Sequence, residues 1–96
     1  MLNSILGARR PHAARKLVEQ GALLLDVRSV PEYAQGNIPG SYNIPVQELN
    51  GRLQELGKRG RHVVVYCRSG ARSAHASELL TAAGYRVTDI GPMHAW

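Results

Sequence analysis

The stretch VVVYCRSGARSA, residues 63–74, decides the fold of this chain. Its apolar beginning belongs to the run HVVVY at 62–66, in which apolar residues follow one another without alternation. Such a run is typical of a central parallel strand that is covered on both faces. Apolar side chains recur at helical spacing after the cysteine. The stretch therefore predicts a buried strand, a tight loop and a helix that starts near Ser73.

The rest of the chain repeats this alternation of strand and helix. The segments ALLLDV at 22–27 and YRVTDI at 85–90 predict two further strands, and a turn-rich connection at 35–45 encloses a short one near 42–44. Two helices are predicted by apolar residues at helical spacing, namely Val46, Leu49, Leu53 and Leu56, and then Ala76, Leu79, Leu80 and Ala83. An α/β fold with a parallel sheet is the expected class.

Length and composition narrow the possible functions. Since 96 residues hold one core, we expect a single domain over residues 1–96, with 1–10 as a frayed N-terminal extension. The net charge is +5, but Lys and Arg are scattered and no aromatic residues are interleaved with them, so we expect no nucleic acid partner. Apolar runs such as 22–25 are far shorter than the ~20 residues of a membrane span, so we expect no membrane partner.

The number of cysteines and the N-terminal segment indicate the cellular compartment of the protein. The lone Cys67 has no partner for an internal disulfide, so we expect a reducing compartment and a cytoplasmic protein. The segment 1–16 is basic and lacks acidic residues, as organelle transit peptides do. However, Ala14, Leu17 and Val18 fit the core-facing side of a helix, which favours a place within the domain.

Cys67 is the strongest candidate for a reactive group. It follows the strand at 62–66 and precedes a helix, at the end of a parallel strand where ligands bind. The backbone N–H groups of such a loop and the helix N-terminus stabilise an anion there. Arg68 and Arg72 add positive charge, which lowers the pKa of the thiol. An inert core cysteine is the alternative, and the lack of apolar residues on one side, where Arg68, Ser69 and Gly70 follow, argues against it.

A metal or other cofactor is not expected. One cysteine is too few for a Cys-rich zinc site. The histidines share no ligand spacing, and they stand at His12, His62, His75 and His94.

Three segments together resemble the single-domain rhodanese sulfurtransferases. They are LLLDVRSVPEYAQGNIPGSYNIP at 23–45, VVVYCRSGARSAHASELLTAAGY at 63–85 and IGPMHAW at 90–96. The resemblance covers residues 11–96. It implies a rhodanese-like α/β fold with a central five-stranded parallel sheet flanked by helices on both faces. It also implies an active loop of the form C-x-x-x-x-R, which runs here from Cys67 to Arg72.

The resemblance implies covalent chemistry at Cys67. Its thiolate attacks the sulfane sulfur of a small anionic donor such as thiosulfate, and a persulfide then passes the sulfur to a thiol, cyanide or protein-thiol acceptor. Asp26 and Arg28, in the family's D-x-R motif, shape the pocket and do not react. We expect a monomer without a cofactor. The substrate-binding residues implied by the loop are Arg68, Ser69, Gly70, Ala71, Arg72 and Ser73.

Two other functions remain open at this stage. A cysteine phosphatase or arsenate reductase on the same fold also surrounds an oxyanion with a thiolate and an arginine. Resemblance to the phosphatases would require one more residue between the cysteine and the arginine, so the loop from Cys67 to Arg72 favours sulfur transfer. A persulfide relay or binding module for a protein partner would keep the same cysteine.

Overall fold

Four parallel strands form the sheet of the part of the chain that the structure describes. The computed structural model describes residues 11–96, so the expected N-terminal extension at 1–10 lies outside the described residues. The order of the strands is β2-β1-β3-β4, with β1 and β3 in the centre. Their bounds are Leu23–Asp26 for β1, Tyr42–Asn43 for β2, His62–Cys67 for β3 and Arg86–Pro92 for β4.

The number of strands corrects one expectation. The resemblance implied five strands, and residues 11–96 form four. The segments predicted as strands at 22–27, 42–44, 62–66 and 85–90 account for all four, and the fifth strand rested on the resemblance alone. The four strands are therefore the ones that the residues themselves predicted.

The helices differ from the sequence prediction, which did not include the short ones at Val30–Gln35 and Met93–Ala95. They are α1 (Pro11–Glu19), α2 (Val30–Gln35), α3 (Ala71–Ala82), a 3₁₀ segment (Val46–Leu56) and a 3₁₀ turn (Met93–Ala95). The 3₁₀ segment replaces the helix predicted there and is kinked at Arg52, directly after the weak helix former Gly51. Helix α3 begins two residues before Ser73, because the left-handed Gly70 turns the chain directly into it. No helix within residues 11–96 is long and apolar enough to cross a membrane.

The central strands bury their side chains on both faces of the sheet. Alternate residues of a strand point to opposite faces. Val63 and Val65 pack with Leu80 of α3 in one core, and Val64 packs with Ala14 of α1 in the other. The sheet therefore has helices on both faces, as the unbroken apolar runs predicted. Because all four strands are parallel, their carboxyl ends and the loops that follow them lie at one edge of the sheet.

Candidate active site

The loop after β3 places Cys67 at the carboxyl edge of the sheet. Cys67 is the last residue of β3, and only residues 68–70 separate it from the first residue of α3. Gly70 closes this turn with a φ of 106°, a left-handed conformation that favours glycine. The short turn aims the N-terminus of α3 back at the end of the strand, where the sulfur lies.

Two backbone N–H groups donate to the sulfur of Cys67. The Gly70 nitrogen lies 2.9 Å from Sγ and the Ser73 nitrogen lies 3.3 Å from it. The Ser73 hydroxyl donates to the Gly70 carbonyl oxygen at 3.1 Å, which holds the loop closed. The sequence analysis expected backbone N–H groups of this loop to stabilise an anion, and the two N–H groups that contact the sulfur belong to Gly70 and Ser73.

Burial and hydrogen bonding act on the thiol in opposite directions. Burial raises the pKa of Cys67, but hydrogen bonds from Ser73 and from the Gly70 backbone outweigh it and lower the pKa overall. A lowered pKa increases the thiolate fraction, and the thiolate is the nucleophilic form of cysteine.

The burial of Cys67 corrects part of the sequence argument. Its polar neighbours in sequence argued against a core position, yet Cys67 is 0% exposed and packs in the same core as Val65 and Ala76. The neighbours mislead because β3 carries the cysteine inward while Arg68 and Ser69 turn outward. What distinguishes this thiol from an inert one is the pair of N–H groups that point at its sulfur.

The two arginines of the loop have different surroundings. Arg68 is exposed and lines a cavity of about 290 Å³ at this edge. Arg72 lies in the first turn of α3, where both of its terminal nitrogens donate to Glu32, at 2.7 and 3.0 Å. The resemblance implied that both arginines bind the donor, which stays a prediction. Arg72 is paired with a carboxylate, and Arg68 takes part in no ion pair within residues 11–96. The cavity is lined by Arg28, Glu32, Gln35, Gly36, Arg68 and Met93.

Asp26 and Arg28 form a buried ion pair beside this cavity. The Arg28 guanidinium donates from Nη2 to Asp26 Oδ2 at 2.7 Å, and its Nε contacts both carboxylate oxygens. The same Nη2 donates to the Gly36 carbonyl at 2.7 Å, which ties the end of β1 to the end of α2. Both charges are thus satisfied within the scaffold, an arrangement consistent with the supporting role expected from the sequence.

Glu32 is the site residue that the sequence reasoning missed. The motif S-x-x-E at 29–32 was a visible signal, because it predicts a capping box at the start of a helix. The structure has that box at the start of α2, where the Ser29 hydroxyl and Glu32 bind each other's backbone N–H groups. The contact with Arg72, 40 residues away, was invisible in the sequence.

The described residues give no basis for a metal centre. Within residues 11–96, no three His, Cys, Asp or Glu side chains are grouped closely enough to hold a metal ion. The groups available for chemistry at this edge are the thiol of Cys67, the two backbone N–H groups that donate to it, and the exposed guanidinium of Arg68.

Replacing Gly70 with alanine is expected to destabilise the protein by about 1 to 2 kcal/mol, because a side chain disfavours this left-handed backbone. A Cβ at Gly70 would meet only ordinary contacts, the nearest at 3.9 Å, so the cost is conformational. The displaced amide would also raise the pKa of Cys67. Urea denaturation measures the first effect, and the pH dependence of thiol alkylation measures the second.

Gly51→Ala is the matched control for that substitution. Gly51 lacks a positive φ, and a Cβ added there meets nothing within 4 Å. We expect no loss of stability from Gly51→Ala. Equal stability of the Gly70 variant and the unmodified protein would contradict the role given to this turn.

The comparisons with known proteins agree with this geometry. A family model described as "Rhodanese-like domain" matches residues 10–95. The chain is 43% identical over 79 residues to a protein of Allochromatium vinosum named "Sulfurtransferase", covering 80% of this chain and 73% of that protein. It is 40% identical over 85 residues to the human "Thiosulfate:glutathione sulfurtransferase", covering 74% of each.

A solved structure supports the same fold. The human single-domain sulfurtransferase superimposes with a TM-score of 0.72 at 33% identity, covering 91% of this chain and 88% of that one. Other relatives are longer, and this chain spans 56% and 55% of the length of two of them.

Proposed function

The chain belongs to the rhodanese-like domain family, and on this basis we propose that it is a sulfurtransferase in which Cys67 carries sulfur as a persulfide. The observation that carries the proposal is the pair of N–H groups, from Gly70 and Ser73, directed at the Cys67 sulfur. The names of the relatives support the class of reaction. The human relative's name supports thiosulfate as the donor and a small thiol as the acceptor.

The first step forms the persulfide. The Cys67 thiolate attacks the outer sulfur of thiosulfate, the S–S bond of thiosulfate breaks, and its electron pair leaves with sulfite. The enzyme keeps one sulfur as a persulfide anion, so no proton has to be supplied. Arg68 attracts the anionic donor to this edge, and the two amides stabilise the negative charge on sulfur.

The second step regenerates the thiolate. A thiolate or cyanide attacks the outer sulfur of the persulfide, and the electron pair of the broken S–S bond returns to Cys67. Because Cys67 has no exposed surface, the loop around it must open slightly to admit each reactant. The exposed Arg68 and Ser69 are the parts of this loop that a reactant meets first.

Sulfite release from thiosulfate in the presence of a thiol tests this function. We expect the rate to rise with pH and to level off at a lower pH than the reaction of an unperturbed cysteine does, because thiolate formation limits the rate at low pH and the pKa of Cys67 is lowered. Below the pKa of Cys67, the rate should fall about tenfold for each unit by which the pH is lowered. A chain that releases no sulfite above the protein-free control is not a thiosulfate sulfurtransferase.

A further inference from the structure

Glu32 is held rigidly between its own helix and the active loop. Its Oε1 accepts hydrogen bonds from Arg72 at 2.7 Å and from the Ser29 nitrogen and hydroxyl at 3.0 and 2.9 Å. Its Oε2 accepts the second bond from Arg72 at 3.0 Å. A bidentate pair of this kind fixes the orientation of the guanidinium as well as its charge.

Glu32 keeps its negative charge at any pH at which the thiolate is present. The hydrogen bonds from Arg72, and then those from Ser29, hold the pKa of Glu32 well below its usual range. In the other direction, the hydrogen bond to Glu32 raises the pKa of Arg72. The two side chains are 26% and 35% exposed, so solvent weakens their attraction without removing it.

The ion pair of Glu32 with Arg72 lies close enough to Cys67 for electrostatic interaction with the reacting sulfur. The charge of the Cys67 thiolate contributes to the raised pKa of Arg72, and Ser73, the next residue, donates to Sγ. Glu32 lines the same cavity as Arg68. Within residues 11–96, Arg68 takes part in no ion pair. A donor in this cavity therefore meets Arg68 and the Glu32 carboxylate on the wall, and Arg72, which is not part of the lining, acts there through its pair with Glu32.

We propose that Glu32 sets the charge preference of the donor site by neutralising Arg72, which disfavours dianions such as thiosulfate relative to donors with a single negative charge. The inference rests on the proposed function and names a positioning residue, since Glu32 acts through Arg72. Without Glu32, Arg68 and Arg72 would together carry two positive charges, which equals the charge of a dianion in magnitude. With Glu32 present, one positive charge remains, which equals that of a monoanion.

A thiol persulfide is the chemical class of donor that fits this balance. It carries one negative charge on its outer sulfur. The Cys67 thiolate attacks that outer sulfur, the S–S bond breaks, and its electron pair leaves with the donor thiolate. The products are the Cys67 persulfide and a free thiolate, so no oxidant, reductant or proton is required.

The test measures anion binding in the absence of turnover. In a Cys67→Ser background, thiosulfate binds without reacting, and its dissociation constant is compared with and without Glu32→Gln. Glutamine keeps the shape and the capping role of residue 32 but frees the charge of Arg72. We expect thiosulfate to bind about fivefold tighter. Methanethiosulfonate, the monoanion with a methyl group in place of one oxygen, should bind only about twofold tighter, because Coulomb energy scales with charge.

Glu48→Gln in the same background is the matched control. Glu48 also pairs with an arginine, Arg52, at 2.8 Å, but on the exposed side of the 3₁₀ segment. The substitution Glu48→Gln removes the same net charge and should leave the affinities for thiosulfate and methanethiosulfonate unchanged. Unchanged or weaker thiosulfate binding in the Glu32 variant, equal shifts for the two anions, or an equal shift in the control would each overturn the inference. Failure of the proposed function is seen separately, as an absence of sulfite release by the unmodified protein.

Discussion

Replacing Cys67 with serine is expected to lower the rate of sulfite release from thiosulfate by at least about a thousandfold. The serine hydroxyl is un-ionised near neutral pH, and its oxygen cannot store the transferred sulfur as a persulfide. Steady-state sulfite release, measured with a thiol acceptor present, checks the loss.

The serine variant should remain folded, which keeps this result interpretable. A hydroxyl is similar in size to the buried thiol, and its oxygen can accept the same hydrogen bonds from Gly70 and Ser73. The melting temperature is the control, and it should stay close to that of the unmodified protein. A residual rate within about tenfold of the unmodified protein would remove Cys67 from the role of sulfur carrier.

Replacing Asp26 with alanine is expected to lower the free energy of unfolding by about 3 to 5 kcal/mol. The Arg28 side chain is 7% exposed and would keep its charge with only the Gly36 carbonyl as a hydrogen-bond acceptor and the Tyr66 ring beside it. Since small domains are stable by roughly 5 to 15 kcal/mol, the loss is a large part of the total. Urea denaturation measures it.

Glu48→Ala provides the surface comparison for that prediction. It also breaks a pair between a carboxylate and an arginine, but the Glu48 side chain is 48% exposed, so water replaces the lost contact. We expect a loss below about 1 kcal/mol. If Asp26→Ala costs no more than Glu48→Ala, the pair between Asp26 and Arg28 does not hold the scaffold of this edge.

The sequence was sufficient to predict the elements that rest on local patterns. Unbroken apolar runs located β1 and β3, because strands buried on both faces have no polar alternation to obscure them. The position of Cys67 between such a run and a helix also predicted its place at the carboxyl edge of a parallel sheet. These features depend on residues that are neighbours in the chain.

The features that the sequence did not predict depend on residues far apart in the chain. The ion pair of Glu32 with Arg72 joins two helices across 40 residues, and no local pattern marks it. The burial of Cys67 was misjudged because its polar neighbours turn outward while β3 carries it into the core. The 3₁₀ segment with its kink at Arg52 was not predicted, because apolar spacing alone does not distinguish an α-helix from a 3₁₀ helix.

The mass of the intact protein after exposure to thiosulfate tests the central claim most directly. With no acceptor present, the account predicts a gain of one sulfur atom on the unmodified chain, together with one equivalent of sulfite. Cyanide or a thiol should then remove the added sulfur, and the Cys67→Ser variant should show no gain. An unchanged mass for the unmodified protein, or the same gain in the serine variant, would contradict the assignment of Cys67 as the sulfur carrier.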